Sequence, residues 1–175
     1  YGVYSSANRH FNSNYGNGDC MSRAFVHTYL NLDGTPFTSK PNYSTVLFKD
    51  EFTGRDQRMI QTLKFPEYRS VGASHADLVP DILHQNAVTG YQIIKFTLDN
   101  TTYNDSSDGT NSIPLMRYAE VLLIYAEAKA ELGELTQEDL NSSINLLRKR
   151  VGMPSLTLGV TADPYLTNPS YGYTN

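Results

Sequence analysis

Between Leu115 and Val151 the apolar residues recur at steps of three and four on both sides of Gly133, a pattern that a pair of helices buries well. Leu115, Ala119, Leu122, Ala126 and Ala130 share one face, and Leu140, Ile144, Leu147 and Val151 share another. The spacing predicts two helices within residues 113 to 152. Each arm has a face that seeks a partner.

The punctuation agrees with the periodicity. Pro114 suits a first helical turn, where its missing N–H costs nothing. Gly133 can close the first helix in the left-handed conformation, and Thr136 with Asp139 three residues on forms a capping-box start for the second. Gly152 and Pro154 stop the second helix. With so short a connection the arms should pack antiparallel, small alanines letting the backbones approach, as one unit of a helical-repeat layer.

The remainder has weaker patterning. Residues 1 to 19 read as irregular. Asp19 is placed to cap a short helix from Cys20 to Leu30, with Met21, Ala24, Phe25, Thr28 and Tyr29 on one side. Asp33-Gly34 is a turn. Val46 to Phe52 suits a short strand or a turn of helix, Arg58 to Leu63 an extended segment, and residues 64 to 90 a long loop. Tyr91 to Leu98 alternates as a strand does, and residues 99 to 112 form a polar loop. After Pro154 the chain reads as loop or frayed terminus.

Composition excludes several classes. The net charge of −4 leaves no basic stripe to neutralise phosphates, so nucleic acid is not an expected partner. Arg148, Lys149 and Arg150 form a basic run that a helix C-terminus explains. Cys20 is alone, permits no disulfide within the chain, and reads as a small buried hydrophobe. No run of apolar residues is long enough to span a bilayer. The 13 tyrosines, among many Asn, Ser, Thr and Gly, suit either a surface contacting polar, ring-shaped ligands or simply long loops.

Catalytic and metal chemistry find little support. Glu120, Glu127 and Glu131 lie on one side of the first helix, as carboxylates that cleave a glycosidic bond must not; those converge across a cleft. Arg117, Arg148 and Arg150 are expected to pair with them. His10, His27, His75 and His84 have no zinc spacing. Asn104-x-Ser106-x-Asp108-Gly109 imitates half of a calcium loop, but Leu115 stands where a bidentate Glu is needed. Gly16-Asn17-Gly18 is a turn rather than a phosphate loop, and no Ser sits in a nucleophile elbow.

Three segments together resemble a known family. The Arg-Tyr-Ala-Glu-x-Leu-Leu-Ile-Tyr-Ala-Glu-Ala run from Arg117, followed by a Gly and then Ile-Asn-x-x-Arg-x-Arg-x-Gly, resembles the last tetratricopeptide-type hairpin of SusD/RagB-like proteins. These are nutrient-binding outer-membrane lipoproteins of gut and oral Bacteroidetes. Thr28 to Phe37 is similar to the family's Tyr-x-x-x-Asp-Gly-x-Pro-Phe segment, and Arg55-Asp56-Gln57-Arg58-Met59 to its Arg-Asp-Pro-Arg-Leu segment. Gln57 replaces the usual proline and leaves Arg55, Asp56 and Arg58 in place. The family's Trp-containing segment has no counterpart in a chain without Trp, and family members are several times longer.

The resemblance implies a SusD-like fold, mainly α with long irregular loops and minor β, its hairpin packed on a loop-rich region. It implies a single C-terminal fragment of a larger protein: a loop-rich part (1–112), the hairpin (113–152), and a loop or tail (153–175). It further implies a non-catalytic glycan-binding protein needing no cofactor, active in nutrient uptake and polysaccharide utilisation. Such a protein would sit at the outer membrane by a lipid anchor outside this stretch and deliver oligosaccharide to a TonB-dependent transporter. Ligand-contacting loops in the family often precede the Tyr-x-x-x-Asp-Gly segment. That points to Tyr4, Asn8, Arg9, His10, Phe11, Asn12, Tyr15 and Asn17 as the expected binding set. The competing expectation is a helical-repeat module that binds peptide or protein.

Overall fold

The hairpin forms around Gly133, which takes φ +69°, and around the Thr136–Asp139 capping box. In the computed structural model, which describes residues 2–4, 20–80, 82, 88–95, 100 and 112–168, it is the longest regular feature. The described elements run in the order β1 (Gly2–Tyr4), α1 (Arg23–His27), α2 (Phe48–Glu51), β2 (Ser112–Pro114), α3 (Tyr118–Glu131), α4 (Gln137–Ser142) and α5 (Ile144–Arg150), with short 3-10 turns at Phe37–Ser39 and Tyr43–Thr45. The two strands form one antiparallel pair, Gly2 opposite Pro114 and Tyr4 opposite Ser112.

Two details of the hairpin depart from the periodicity. Pro114 ends β2 instead of opening a helix, a position at a strand's end that a residue without an N–H tolerates. The helix therefore starts at Tyr118 after an extended Arg117, and Leu115 is left off it, 69% exposed. The second arm breaks at Ser143 (φ −129°, ψ −90°). Ser143 Oγ donates to the Asp139 carbonyl, the acceptor its own N–H would use in a continuous helix, and that N–H turns to Leu140 O at 3.3 Å. The arms still pack together through Leu122, Ala126 and Leu140, all buried. Ala130 is exposed, and so are Tyr118, Val121, Leu123 and Ile124 of α3.

Elsewhere local hydrogen bonding overrules several expectations. Ser22, not Asp19, caps α1, accepting from Phe25 N–H at 3.2 Å; Asp19 lies outside the described residues. Rotating the helix start buries Val26 and His27 and leaves Phe25 40% exposed. Phe48–Glu51 takes the helical alternative. Residues 57–62 are a chain of turns rather than an extended segment, with Met59 N–H on Asp56 O at 2.9 Å and Leu63 N–H on Met59 O at 2.8 Å.

The strand expected at Tyr91 to Leu98 is reduced to single bridges, Gln92 with Cys20 and Ile93 with Leu63. Its neighbours are short loop segments, so pairing cannot propagate on either side; residues 96–99 lie outside the described part. Cys20 is half-buried rather than in the core.

The core sits under these turns: Val26, Met59, Leu63 and Tyr91, flanked by Met21, Tyr29, Phe48, Phe52 and Ile93. A second apolar centre surrounds His27, whose ring lies 5.2 Å from Phe37 and 5.4 Å from Tyr43. Tyr165 closes this group at 6.0 Å from both His27 and Tyr43. From Pro154 to Asn168 the chain is therefore irregular but not frayed, and residues 169–175 lie outside the described part. Asn145 Nδ2 donates to Leu156 O at 3.0 Å while its Oδ1 accepts from Leu156 N–H at 2.6 Å, and Gln137 Oε1 accepts from Leu158 N–H at 3.0 Å.

Gly34 joins the two halves. It has φ +87°, and a Cβ there would lie 2.8 Å from Pro154 Cγ and 3.3 Å from Arg148 Nη2. Gly54 has a similar φ of +66° but open space around it. Gly54→Ala should therefore lose only the left-handed penalty, about 1–2 kcal/mol. Gly34→Ala should lose that and roughly 1–3 kcal/mol more for displacing Pro154. Denaturant unfolding of the two variants checks the difference; equal losses would mean that Pro154 yields freely.

Candidate functional site

Arg55 is the side chain on which the middle of the chain is assembled. It is 2% exposed, and its guanidinium donates to the carbonyls of Glu51 (3.0 Å), Val26 (3.0 Å) and Tyr29 (2.7 Å). One face stacks on the Phe37 ring, 3.8 Å from its centroid. Burial lowers its pKa to about 10, with Glu51, Tyr91 and Asp56 opposing, so the charge survives at neutral pH. The C-terminal ends of α1 and α2 and the turn at Tyr29 are thereby held together by one planar fork.

Glu51 lies beneath, fully buried, accepting from Tyr91 Oη at 2.5 Å and from Arg23 at 2.8 Å. His27 Nε2 stands 3.7 Å away, an ion-pair distance too long for a hydrogen bond. Burial alone would push the Glu51 carboxyl up, but its cationic and hydroxyl neighbours outweigh it and hold the group below its ordinary range. Burial and the Glu51 carboxylate push the Tyr91 hydroxyl pKa upward.

Asp56 and Arg58 face the other way. Asp56 Oδ1 accepts from the Arg58 N–H at 2.9 Å and its carboxylate grips the Arg58 guanidinium. This side-chain turn supplies the constraint that Gln57 lacks and proline would have provided. Burial works to raise the Asp56 pKa, but the Arg58 bonds win and lower it.

Arg58 opens onto a cleft of about 450 Å³ between α1 and the hairpin. Phe25 and Tyr29 form one wall, edge to face with centroids 6.1 Å apart. Leu123, Leu147 and Arg150 come from the hairpin, and Gln61, Lys95 and Arg117 are among the other lining residues. The size and the mixture of aromatic, apolar and a few polar groups suit a small-ligand site. A second hollow of about 370 Å³ lies between Tyr43, Tyr165 and Asp163.

Of the expected binding set, only the Tyr4 backbone is described, in β1 against Ser112. Asn8, Arg9, His10, Phe11, Asn12, Tyr15 and Asn17 lie outside the described residues, as do the side chain of Tyr4, His84 and the calcium-like stretch before Ser112. The expected pairing of the helix glutamates does not occur. Glu120, Glu127 and Glu131 are exposed and, among the described residues, form no ion pair with Arg117, Arg148 or Arg150. Arg148 donates instead to Pro154 O at 2.6 Å, while Arg117 and Arg150 line the cleft. The cleft residues come from segments far apart in sequence, and no single spacing announces them.

A profile of the SusD family matches residues 1–168. The chain belongs to the SusD family. Among solved structures, it is similar to a SusD-like carbohydrate binding protein from Bacteroides fragilis, at 25% identity and a TM-score of 0.64, over 92% of this chain and 36% of that one. This SusD-family chain thus spans about a third of that relative's length. No curated protein matches it. The mainly helical, loop-rich architecture is that of the family, and the three family-like segments meet at one joint: Gly34 on Pro154, Arg148 beside Asp56 and Arg58.

Removing the clasp should be severe. Arg55→Met leaves the Glu51 and Tyr29 carbonyls without a donor, removes one of two from Val26, and should cost on the order of 3–5 kcal/mol, with Arg55→Lys recovering little because one ammonium cannot span them. Thermal unfolding decides; a loss under about 1 kcal/mol would show that water replaces the guanidinium.

Glu51 sets an acid limit. Its folded pKa lies below its unfolded one, so its stabilising contribution is complete above the ordinary 4.5 and fades as pH falls through the folded value. In Glu51→Gln the fall in stability below that pH should flatten, as read from denaturation midpoints against pH.

Proposed function

We propose that this SusD-family chain is part of a cell-surface protein that binds an oligosaccharide and passes it to a TonB-dependent outer-membrane transporter. The observation that carries the reading is the match of residues 1–168 to the family, supported by the likeness to a carbohydrate binding protein. The resemblance supplies the hand-off to the transporter and the lipid anchor outside this stretch. Among the described residues no helix is long and apolar enough to cross a membrane. On this reading the chain is one fragment of a larger binding protein, and the protein holds its ligand without cleaving it. The exposed glutamates along α3 do not converge on the cleft, which accords with binding alone.

Ligand contact is assigned to Tyr4, Asn8, Arg9, His10, Phe11, Asn12, Tyr15 and Asn17, where aromatic faces and amide or guanidinium donors are interleaved. The second reading, a helical-repeat module for peptide or protein, draws on the exposed Tyr118, Val121 and Ile124 of α3. Calorimetry on the complete protein separates the two. With its native glycan, loss of one central aromatic through Tyr4→Ala or Tyr15→Ala should cost about 1–3 kcal/mol, and Arg9→Ala should also weaken binding. Unchanged affinity in all three variants would move the site away from this segment.

Incubation with an oligosaccharide panel should yield no product. Cleavage that disappears in Glu120→Gln or Glu127→Gln would make the protein an enzyme.

A further inference from the structure

The cleft between α1 and the hairpin gathers more positive charge than the chain's composition accounts for. Arg58, Lys95, Arg117 and Arg150 line it, although acidic residues outnumber Lys plus Arg by 18 to 14 overall. Among the described lining residues the only carboxylate is Asp56, which Arg58 already grips. The cations feel one another: burial first, then Arg117 and Arg150, lower the Lys95 pKa. Arg117 and Arg150 are exposed, and neither takes part in an ion pair among the described residues. Their guanidinium forks therefore remain open to an anion from solution.

The aromatic wall narrows what that anion is attached to. Phe25 is 40% exposed beside Tyr29, and Gln61 and Thr62 add neutral hydrogen-bonding groups. An inorganic anion would satisfy the guanidinium groups and leave the aromatic wall wet. A sugar ring carrying a carboxylate or sulfate satisfies both, stacking its C–H face on the ring and presenting planar oxygens to the forks. We propose that this cleft selects acidic oligosaccharides, with Phe25 and Tyr29 as the stacking wall and Arg117 and Arg150 as the anion-holding pair. The proposal rests on the glycan-binding reading, narrows its ligand class, and adds the cleft to the contacts assigned to Tyr4 through Asn17.

The test is a binding panel on the complete protein: neutral oligosaccharides, uronic-acid oligosaccharides and sulfated oligosaccharides, against wild type and the double variant Arg117→Gln/Arg150→Gln. Both positions are exposed, and matching thermal unfolding curves will verify that the variant folds. The expected result is tighter binding of a uronic-acid or sulfated arm than of any neutral one, weakened at least about tenfold in the double variant and by added salt. Whichever acidic arm responds identifies the anion. Neutral glycans bound as tightly as acidic ones, or acidic binding unchanged in the variant, overturns the inference and leaves the glycan reading standing. No binding in any arm overturns the glycan reading itself, and the inference with it.

Discussion

One buried guanidinium, Arg55, is the constraint on which the loop-rich half depends. Helices leave their last carbonyls unpaired, and those of Glu51, at the end of α2, and Tyr29, just past α1, would otherwise face a dry interior. Arg55 answers both, shares the Val26 carbonyl with the Tyr29 N–H, and uses the Phe37 face as a floor. The buried Glu51 carboxylate supplies counter-charge nearby and is itself held by Arg23 and Tyr91. Such an arrangement is costly to break and leaves little freedom for the turns it ties.

Much of the hairpin was legible because its signals are local. A capping box and a left-handed glycine each need only a few neighbouring residues, and both occur where the sequence places them. The misplacements have physical causes that periodicity does not contain. Pro114 is drawn into pairing with Gly2, more than a hundred residues away, and Ser143 bends its arm through one hydroxyl that captures a backbone acceptor. Tyr91 to Ile94 alternates like a strand yet lacks a partner long enough to make one.

The family-like segments were legible as motifs but not as parts of a machine. Arg55, Asp56 and Arg58 stand almost adjacent in sequence and do opposite work: Arg55 points into the interior, while Asp56 fixes Arg58 at the cleft. Arg117 and Arg150 read naturally as partners for the helix glutamates, since surface ion pairs at such spacings are common. Their place in the cleft depends on how the hairpin docks onto Phe25 and Tyr29, which is tertiary information. The one local hint was Gly34 in its turn, and it marks the joint and not the ligand.

The strap of chain after Pro154 has a consequence for how the molecule opens. Leu156 and Leu158 lie in no helix, yet their amide hydrogens are locked on side chains of α4 and α5. Hydrogen exchange at those amides cannot proceed until Asn145 or Gln137 lets go. The strap and the second arm therefore form a single cooperative unit, and an irregular segment takes on the protection of the helices that hold it.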